Sequence, residues 1–311
     1  MKGRDIGLLM LLGAMWGSSF LFIKVALSEV EPAFIVACRV LFGALALIAA
    51  APFLGRISGK IEGGLARSVL RLWRRMLVLG IFNAALPFLV IAWGTQFLPS
   101  GTAAILNSTV PLFTAVLAGV LPFFADEKLG LLGVVGILLG IAGVSVLAGG
   151  FGEGLSASPA EALAGAGAIM TGSTSYAIGG LYARRAMKGV PVTVSAVGQS
   201  LGAFVVILPL AALSLPERMP DLPVIGSLVG LGVLGTGLSL LIYFRLISNV
   251  GATRTATVTY LVPLWALVYG AVLLGEHITG REILGLALIL LGVAGVTGIM
   301  KLPRKRPPAA P

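Results

Sequence analysis

Two apolar runs that contain a proline decide the fold of this chain: ILNSTVPLFTAVLAGVLPFF at 105–124 and VTYLVPLWALVYGAVLL at 258–274. Pro111 and Pro263 occupy corresponding places in the two runs. Each run leads to a glutamate in the next loop and then to a Gly-rich apolar segment. This repetition predicts that the chain consists of two related halves.

The composition predicts a membrane protein. Of the 311 residues, 58% are hydrophobic and only 11% are charged, which is too apolar for a soluble domain. Apolar runs recur along the chain at about 17–25 residues each, the length of a membrane-spanning helix. The ten runs are 6–27, 32–53, 76–97, 101–124, 129–149, 160–182, 191–214, 223–247, 253–274 and 280–300. The predicted fold class is therefore an all-α polytopic membrane protein with ten transmembrane helices.

The distribution of charge predicts the orientation in the membrane. Eighteen of the 22 Lys and Arg residues lie before span 1 or after an even-numbered span. Because basic loops are retained in the cytoplasm, both termini are predicted to be cytoplasmic. The net charge of +10 is thus explained by short loops between spans, and nucleic-acid binding is disfavoured.

Five spans in each half place the second half in the membrane in the opposite orientation. We expect a first repeat at 6–149 (spans 1–5), a second repeat at 160–300 (spans 6–10) and a cytoplasmic tail at 301–311. Inverted repeats of this kind are typical of secondary transporters. At offsets of 160, 152 and 149, the matched positions include Trp16 with Tyr176, Arg39 with Gln199, Pro111 with Pro263, and Glu127 with Glu276.

Several of these segments carry a family resemblance. Residues 16–20 read WGSSF, 241–245 read LIYFR and 260–263 read YLVP, before the pair Gly275-Glu276. The chain resembles the EamA branch of the drug/metabolite transporter superfamily across nearly its whole length. The resemblance implies ten helices, cytoplasmic termini and a central cavity, in proteins that export amino acids or other small metabolites. The first half departs from the pattern, since Asp126 stands where the family has glycine before glutamate.

Polar side chains in the middle of spans are the candidates for a solute-binding cavity. Polar groups are costly in hydrocarbon and therefore face the interior of a helix bundle. Such residues can instead fill the core or hydrogen-bond between helices, and the sequence leaves these alternatives open. The candidates are Trp16, Ser19, Arg39, Asn83, Asn107, Tyr176, Gln199, Tyr243, Thr259 and Tyr260.

Arg39 is the strongest of these candidates because it is charged. A charged residue near the centre of a span costs about 2.5–3.5 kcal/mol on insertion scales, so a compensating partner is expected. That partner is either a set of helix C-terminal carbonyls or a substrate carboxylate, and a purely structural tie between spans is the third alternative. Lys24, at the end of span 1, is expected to reach the interface.

The two prolines are expected to break their helices. A proline inside a helix removes one backbone hydrogen bond and frees a carbonyl one turn earlier. Freed carbonyls at interrupted helices are places where transporters bind solutes, which favours Asn107 and Thr259. Glu127 and Glu276 are expected at the N-termini of spans 5 and 10, where the helix dipole favours negative charge.

Other kinds of chemistry are disfavoured. Cys38 is the only cysteine and His277 the only histidine, so we expect no disulfide, metal site or cofactor. No Asp or Glu lies in the middle of a span, which disfavours exchange of organic cations for protons. A membrane-embedded enzyme would need clustered acids or histidines near one membrane face, and a passive or sensory role would call for a soluble domain.

The predicted function is that of an inner-membrane secondary transporter which exports small metabolites, such as amino acids, by alternating access. The partners are a small solute and the lipid bilayer. The alternative cargo is a lipid-linked molecule or a nucleotide sugar. Gly-xxx-Gly patterns permit close helix contact but establish no dimer, so the oligomeric state, monomer included, stays open.

Overall fold

The computed structural model describes residues 3–58, 63–120, 130–151 and 157–297. Within these ranges the chain is almost entirely helical. Helices are numbered α1–α15 and two π-helical segments π1 and π2. The first half contains α1 (Gly3–Ala26), α2 (Pro32–Ser58), α3 (Leu65–Arg71), α4 (Trp73–Gly80), π1 (Ile81–Ala85), α5 (Leu86–Thr95), α6 (Ser100–Asn107), α7 (Val110–Val120) and α8 (Leu131–Ala148). The second half contains α9 (Pro159–Ala186), α10 (Val192–Ala212), α11 (Leu222–Gly232), π2 (Val233–Leu238), α12 (Ser239–Val250), α13 (Ala252–Thr255), α14 (Val258–Leu273) and α15 (Gly280–Val296).

Several of these helices are suited to cross a membrane. Seven helical stretches of the described chain are long and apolar enough to do so, and Val258–Leu273 is a shorter apolar helix. The prediction of an all-helical membrane protein is confirmed at this level. Glu127 and the tail 301–311 lie outside the described residues.

Local sequence explains where two of the long helices begin. Ser158 accepts a hydrogen bond from the backbone N–H of Glu161, whose carboxylate accepts one from the backbone N–H of Ser158 in return. Thr279 and Glu282 form the same reciprocal pair at the start of α15. Such capping boxes satisfy backbone donors that a helix N-terminus would otherwise leave free.

Spans 3, 4 and 8 are not regular α-helices. Span 4 is interrupted at Ser108 and Thr109, between the end of α6 and the start of α7, and Pro111 is the second residue of α7. Spans 3 and 8 each contain a π-helical segment, π1 and π2. The offset of 152 that aligns the prolines also aligns the starts of π1 and π2. Since π-helical segments occur frequently at functional sites, their matched positions make these two spans candidates for a functional role.

The helix break expected at Pro263 is corrected by the structure. Pro263 lies inside α14, which continues from Val258 to Leu273. The interruption lies earlier, at Ala256 and Thr257, between α13 and α14. Pro111 is the second residue of its helix, where the missing N–H would have no partner in any case. Pro263 is in the interior, so the helix there loses one hydrogen bond but does not end.

Glycines allow the helices to approach one another closely. A methyl group at Gly292 of α15 would lie 2.5 Å from the carbonyl oxygen of Gly136 in α8, and one at Gly143 would lie 2.8 Å from that of Gly285. Similar backbone contacts join Gly202 of α10 to α4. Small residues at helix interfaces supply the van der Waals packing that holds helices together in lipid.

Replacing Gly292 with alanine tests this packing. The added methyl group would meet backbone atoms of α8, which cannot rotate away, so overpacking should cost about 1–3 kcal/mol. We expect a lower midpoint of thermal unfolding for the purified Gly292→Ala variant in detergent. The matched control is Gly167→Ala in α9, where nothing lies within 4 Å of the new methyl group. Equal midpoints for the two variants would contradict the close contact.

Candidate functional site

A cavity of about 460 Å³ lies between the helices of both halves. It collects side chains from the middle of spans 1, 2, 3, 4, 6, 7, 8 and 9, so that residues distant in sequence come together. Its polar and aromatic lining comprises Trp16, Ser19, Phe20, Arg39, Asn83, Phe88, Asn107, Ser108, Tyr176, Gln199, Thr236, Tyr243 and Thr259.

Nine of the ten side chains expected from the sequence line this cavity. They are Trp16, Ser19, Arg39, Asn83, Asn107, Tyr176, Gln199, Tyr243 and Thr259. Pro111 lines it as well, whereas Pro263 does not. The tenth, Tyr260, is corrected: its hydroxyl lies 3.3 Å from the Thr297 Oγ1, on the side of α14 that faces the end of α15. Thr259 faces the cavity, and its neighbour in the helix points elsewhere.

Aromatic rings form two walls of the cavity. Trp16 of α1 and Tyr243 of α12 lie with their ring centroids 5.6 Å apart. Phe88 of α5 meets Tyr176 of α9 edge to face at 6.2 Å. Such arrangements suit the quadrupoles of the rings. The walls are therefore apolar, and they join spans from the two halves of the chain.

Arg39 provides the positive charge of the site. It is buried, with only 9% of its surface exposed. Its Nε donates to the Oγ1 of Thr236 in π2 at 3.3 Å, and its Cζ lies 3.7 Å from the centre of the Phe88 ring. A cation over an aromatic face is attracted electrostatically. These partners tie α2 to α5 and π2, and they differ from the helix C-terminal carbonyls that the sequence offered as one alternative.

Amide groups occupy the corresponding place in the other half. The Asn83 Nδ2 in π1 donates to the Gln199 Oε1 in α10 at 3.1 Å. The nearby Ser175 Oγ donates to the carbonyl of Phe82, also in π1, at 2.9 Å. Widening of the helix into a π turn leaves backbone carbonyls to be satisfied by side chains. The cavity therefore has a charged polar group at Arg39 and an uncharged polar pair, Asn83 and Gln199, at the matched positions.

Some residues of the site escaped sequence reasoning. Phe88 and Phe20 are two of 14 phenylalanines in the chain, and nothing in the pattern distinguishes them. Thr236 is a polar residue in the middle of a span and could have been chosen on that ground. Gly235 has no side chain to mark it as a site residue. The offset of 152 pairs it with Asn83, however, and this pairing could have indicated that it lines the cavity.

At the predicted outer end the cavity stops at an apolar layer. Ile23, Ile91 and Ala104 belong to its lining and are buried. Beyond this layer the Lys24 Nζ donates to the carbonyls of Thr95 and Leu98, at 2.9 Å each. The sequence predicted that the Lys24 side chain extends to the membrane interface, whereas in the structure it binds these two backbone carbonyls. It satisfies carbonyls where α5 ends, a position at which the helix dipole favours a cation.

Glu276 completes this end of the bundle. Its carboxylate accepts hydrogen bonds from the backbone N–H and the Oγ of Ser100, at 2.8 and 2.7 Å, and interacts electrostatically with Lys24. Gly275, with a φ of 67°, makes the turn that brings the carboxylate there. Glu276 was expected at the N-terminus of span 10 and instead caps α6 in span 4. The carboxylate that caps the start of span 10 is Glu282, six residues later.

In the described part of the chain, no group of three His, Cys, Asp or Glu side chains is placed to hold a metal ion. The groups that line the cavity are one cation, several hydroxyl and amide groups, and aromatic surface. The side chains face one another across several spans, which suits recognition of a small solute.

Comparison with known proteins identifies several relatives that match along most of their length. The chain is 29% identical over 297 residues to an uncharacterized transporter, YvbV, of Bacillus subtilis, covering 94% of this chain and 91% of the relative. It is 29% identical over 294 residues to the uncharacterized inner membrane transporter YedA of Escherichia coli, with 94% and 90% covered. A protein of Salmonella typhimurium named as a probable amino-acid metabolite efflux pump is 28% identical over 305 residues, with 94% of each chain covered.

Similarity extends to the fold and to a family profile. A crystal structure with 20% sequence identity superimposes with a TM-score of 0.64, over 96% of this chain and 98% of the other. The profile of the EamA-like transporter family matches twice, at residues 5–149 and 163–298. These two matches together include every residue that lines the cavity. The chain belongs to the EamA-like transporter family.

Proposed function

We propose that this protein is a secondary transporter that carries small metabolites, amino acids among them, across the inner membrane by alternating access. Transport of the EamA type follows from the family. The observation that carries the rest is the central cavity, where one buried cation, amides, hydroxyls and aromatic rings from eight spans meet between the two halves. Cavities near the midplane between repeats are where secondary transporters bind their solutes.

The size of the cavity favours a small solute. Its volume of about 460 Å³ is in the lower part of the range of roughly 300–1,000 Å³ that is usual for ligand pockets. A nucleotide sugar or a lipid-linked cargo would need more room. The name of the Salmonella typhimurium relative, an amino-acid metabolite efflux pump, points to the same class of solute.

Alternating access would require the apolar layer at Ile23, Ile91 and Ala104 to open. The capping bonds of Lys24 and Glu276 hold the helices on the outer side of this layer together. The opposite end of the cavity reaches Tyr243 and Thr259, within about two turns of the connection between α12 and α14. We infer a cycle in which two inverted five-span halves rock about the cavity, with both termini in the cytoplasm.

Replacing Trp16 with alanine tests the role of the cavity wall. The variant loses the ring that meets Tyr243, so the solute would lose apolar contact and orientation. We expect transport in proteoliposomes to fall by about tenfold or more, in line with a binding contribution of about 1.5–3 kcal/mol for a buried large apolar side chain. The measurement is uptake or efflux of radiolabelled amino acids and other small metabolites, compared with empty liposomes.

The matched control for Trp16→Ala is Trp93→Ala, which removes an exposed indole at the outer end of span 3. Both variants should remain folded in detergent. Wild-type transport by the Trp16→Ala variant would show that this ring serves packing only. Transport by the wild-type protein no faster than leakage from empty liposomes, over a broad panel of metabolites, would refute the proposed function.

Neutralising Glu276 tests the outer closure. In a Cys38→Ser background, a reporter cysteine at Ala104 should react slowly with a membrane-impermeant thiol reagent added from the outer side, because Ala104 is buried beneath the closure. Glu276→Gln weakens charge-assisted hydrogen bonds of about 1.5–3 kcal/mol each, so labelling should accelerate by about tenfold or more. The control is Glu217→Gln, an exposed glutamate in the loop before α11. Equal labelling rates with and without Glu276→Gln would contradict a closure held by this carboxylate.

A further inference from the structure

The charge on Arg39 is only partly compensated within the protein. Of the five N–H donors of its guanidinium, the Nε–H is the one that donates, to the hydroxyl of Thr236. The ring of Phe88 covers one face. No carboxylate in the described ranges pairs with Arg39. Buried charges in proteins are normally paired, so the terminal nitrogens retain the capacity to bind an anion.

Ser19 supplies a second donor beside Arg39. Its side chain is 5% exposed, and its Oγ is the one buried side-chain polar atom of the described chain that has no hydrogen-bond partner. The neighbouring Ser18 behaves as serines in helices usually do, since its Oγ donates to the carbonyl of Met15 at 2.9 Å. The hydroxyl of Ser19 therefore has an unused hydrogen-bonding capacity at the wall of the cavity.

Gly235 shows where Ser19 and Arg39 converge. A methyl group built on Gly235 would lie 2.7 Å from the Ser19 Oγ and 3.8 Å from the Arg39 Nη2. All three residues line the central cavity. Gly235 therefore packs directly against the Ser19 hydroxyl, and because glycine projects no side chain, this hydroxyl and the Arg39 guanidinium converge on the same part of the cavity wall.

The equivalent positions of the other half are arranged differently. The offsets of 160 and 152 pair Ser19 with Gly179, Arg39 with Gln199 and Gly235 with Asn83. Asn83 takes the place of Gly235 in that half, and its amide donates a hydrogen bond to Gln199. Gly179, the counterpart of Ser19, packs closely against this amide, since a methyl group on Gly179 would lie 3.1 Å from the Asn83 Oδ1. One half thus satisfies its polar groups internally, while the other presents donors without an acceptor.

We propose that Ser19 and Arg39, on either side of Gly235, bind the carboxylate group of the transported solute. A guanidinium is suited to hold a carboxylate by two parallel hydrogen bonds, and a hydroxyl can donate to the same group. The solute carboxylate would occupy the place that the Asn83 amide occupies in the other half. This assignment rests on the proposed transport function and narrows its substrate class to small carboxylates, free amino acids included.

Direct binding to the purified protein tests the assignment separately from transport. The probes are L-leucine, L-phenylalanine and benzoate, each compared with its primary amide at equal ionic strength, and the readout is the thermal-unfolding midpoint, since a ligand of the folded state raises it. We expect at least one acid to raise the midpoint while its amide does not. An absence of any difference between acids and amides would overturn the proposal even if the protein transports other solutes.

Three variants locate the binding. Ser19→Ala removes one hydrogen bond to a charged group and should weaken binding of the acid by about tenfold or more. Gly235→Ala places a methyl group against the Ser19 hydroxyl but keeps the charge of Arg39, so it should displace that donor and abolish the preference for the acid. The control is Gly226→Ala in the same span, where nothing lies within 4 Å. Wild-type affinity for the acid in both Ser19→Ala and Gly235→Ala would overturn the assignment.

Failure of the proposed function gives a different pattern. A protein that transports none of a broad panel of metabolites but still prefers acids over amides would refute transport and retain the carboxylate site. A protein that transports neutral solutes equally well before and after Gly235→Ala, with no preference for acids, would retain transport and refute the carboxylate site.

Discussion

The turn between α5 and α6 is held by two opposite charges that come from other parts of the chain. Lys24 of α1 binds carbonyls where α5 ends, and Glu276, from the loop after α14, binds N–H groups where α6 begins. Each charge has the sign that the nearby helix end favours. Because unsatisfied backbone groups are costly in a membrane, this double cap allows two helices to end and begin beside a closed apolar layer. The closure of the cavity at this end depends on it.

The sequence was sufficient for the class of fold and for most of the cavity. Long apolar runs that recur along a chain are typical of membrane helices, and polar side chains within them are costly in hydrocarbon unless they face inward or bond to their own backbone. That reasoning led to Trp16, Arg39 and Asn83. It could not tell whether Thr259 or Tyr260 faces the cavity. Adjacent residues on a helix point in directions about 100° apart. Which of the two faces inward therefore depends on how α14 is set after the interruption at Ala256 and Thr257.

The partners of charged residues were less predictable. Glu276 was assigned to the helix that follows it in sequence, since capping is usually a local interaction. The positive φ of Gly275 turns the chain back, so the carboxylate reaches Ser100, which is 176 positions away. The π-helical segments are equally hidden, since their extra residue has no signature in hydrophobicity. Tertiary packing sets both features.

The two π-helical segments have equivalent neighbours but contribute different groups to the cavity. The π-helical segments π1 and π2 both lie against the first two spans of the opposite half, π1 on α9 and α10 and π2 on α1 and α2. The packing of the two segments is thus equivalent, whereas the side chains at the matched positions differ: Asn83 pairs with Gln199 in one half, and Ser19 and Arg39 line the cavity in the other. A gene duplication followed by a few such changes would convert a structural hydrogen bond into a binding contact without altering the helices around it.

Helix α1 connects the cavity to the caps at its predicted outer end. Ser19 and Lys24 both belong to α1, five residues apart, which corresponds to about 7.5 Å along the helix axis. A regular helix transmits displacement over such a distance because its hydrogen-bonded backbone resists stretching. A solute that binds Ser19 and Arg39 more tightly in one state of the protein shifts the equilibrium towards that state by the difference in affinity. In the proposed cycle, any tilt of α1 that improves these contacts would also move Lys24 relative to Thr95 and Leu98, so occupancy of the cavity would be coupled to opening of the closure through one rigid element.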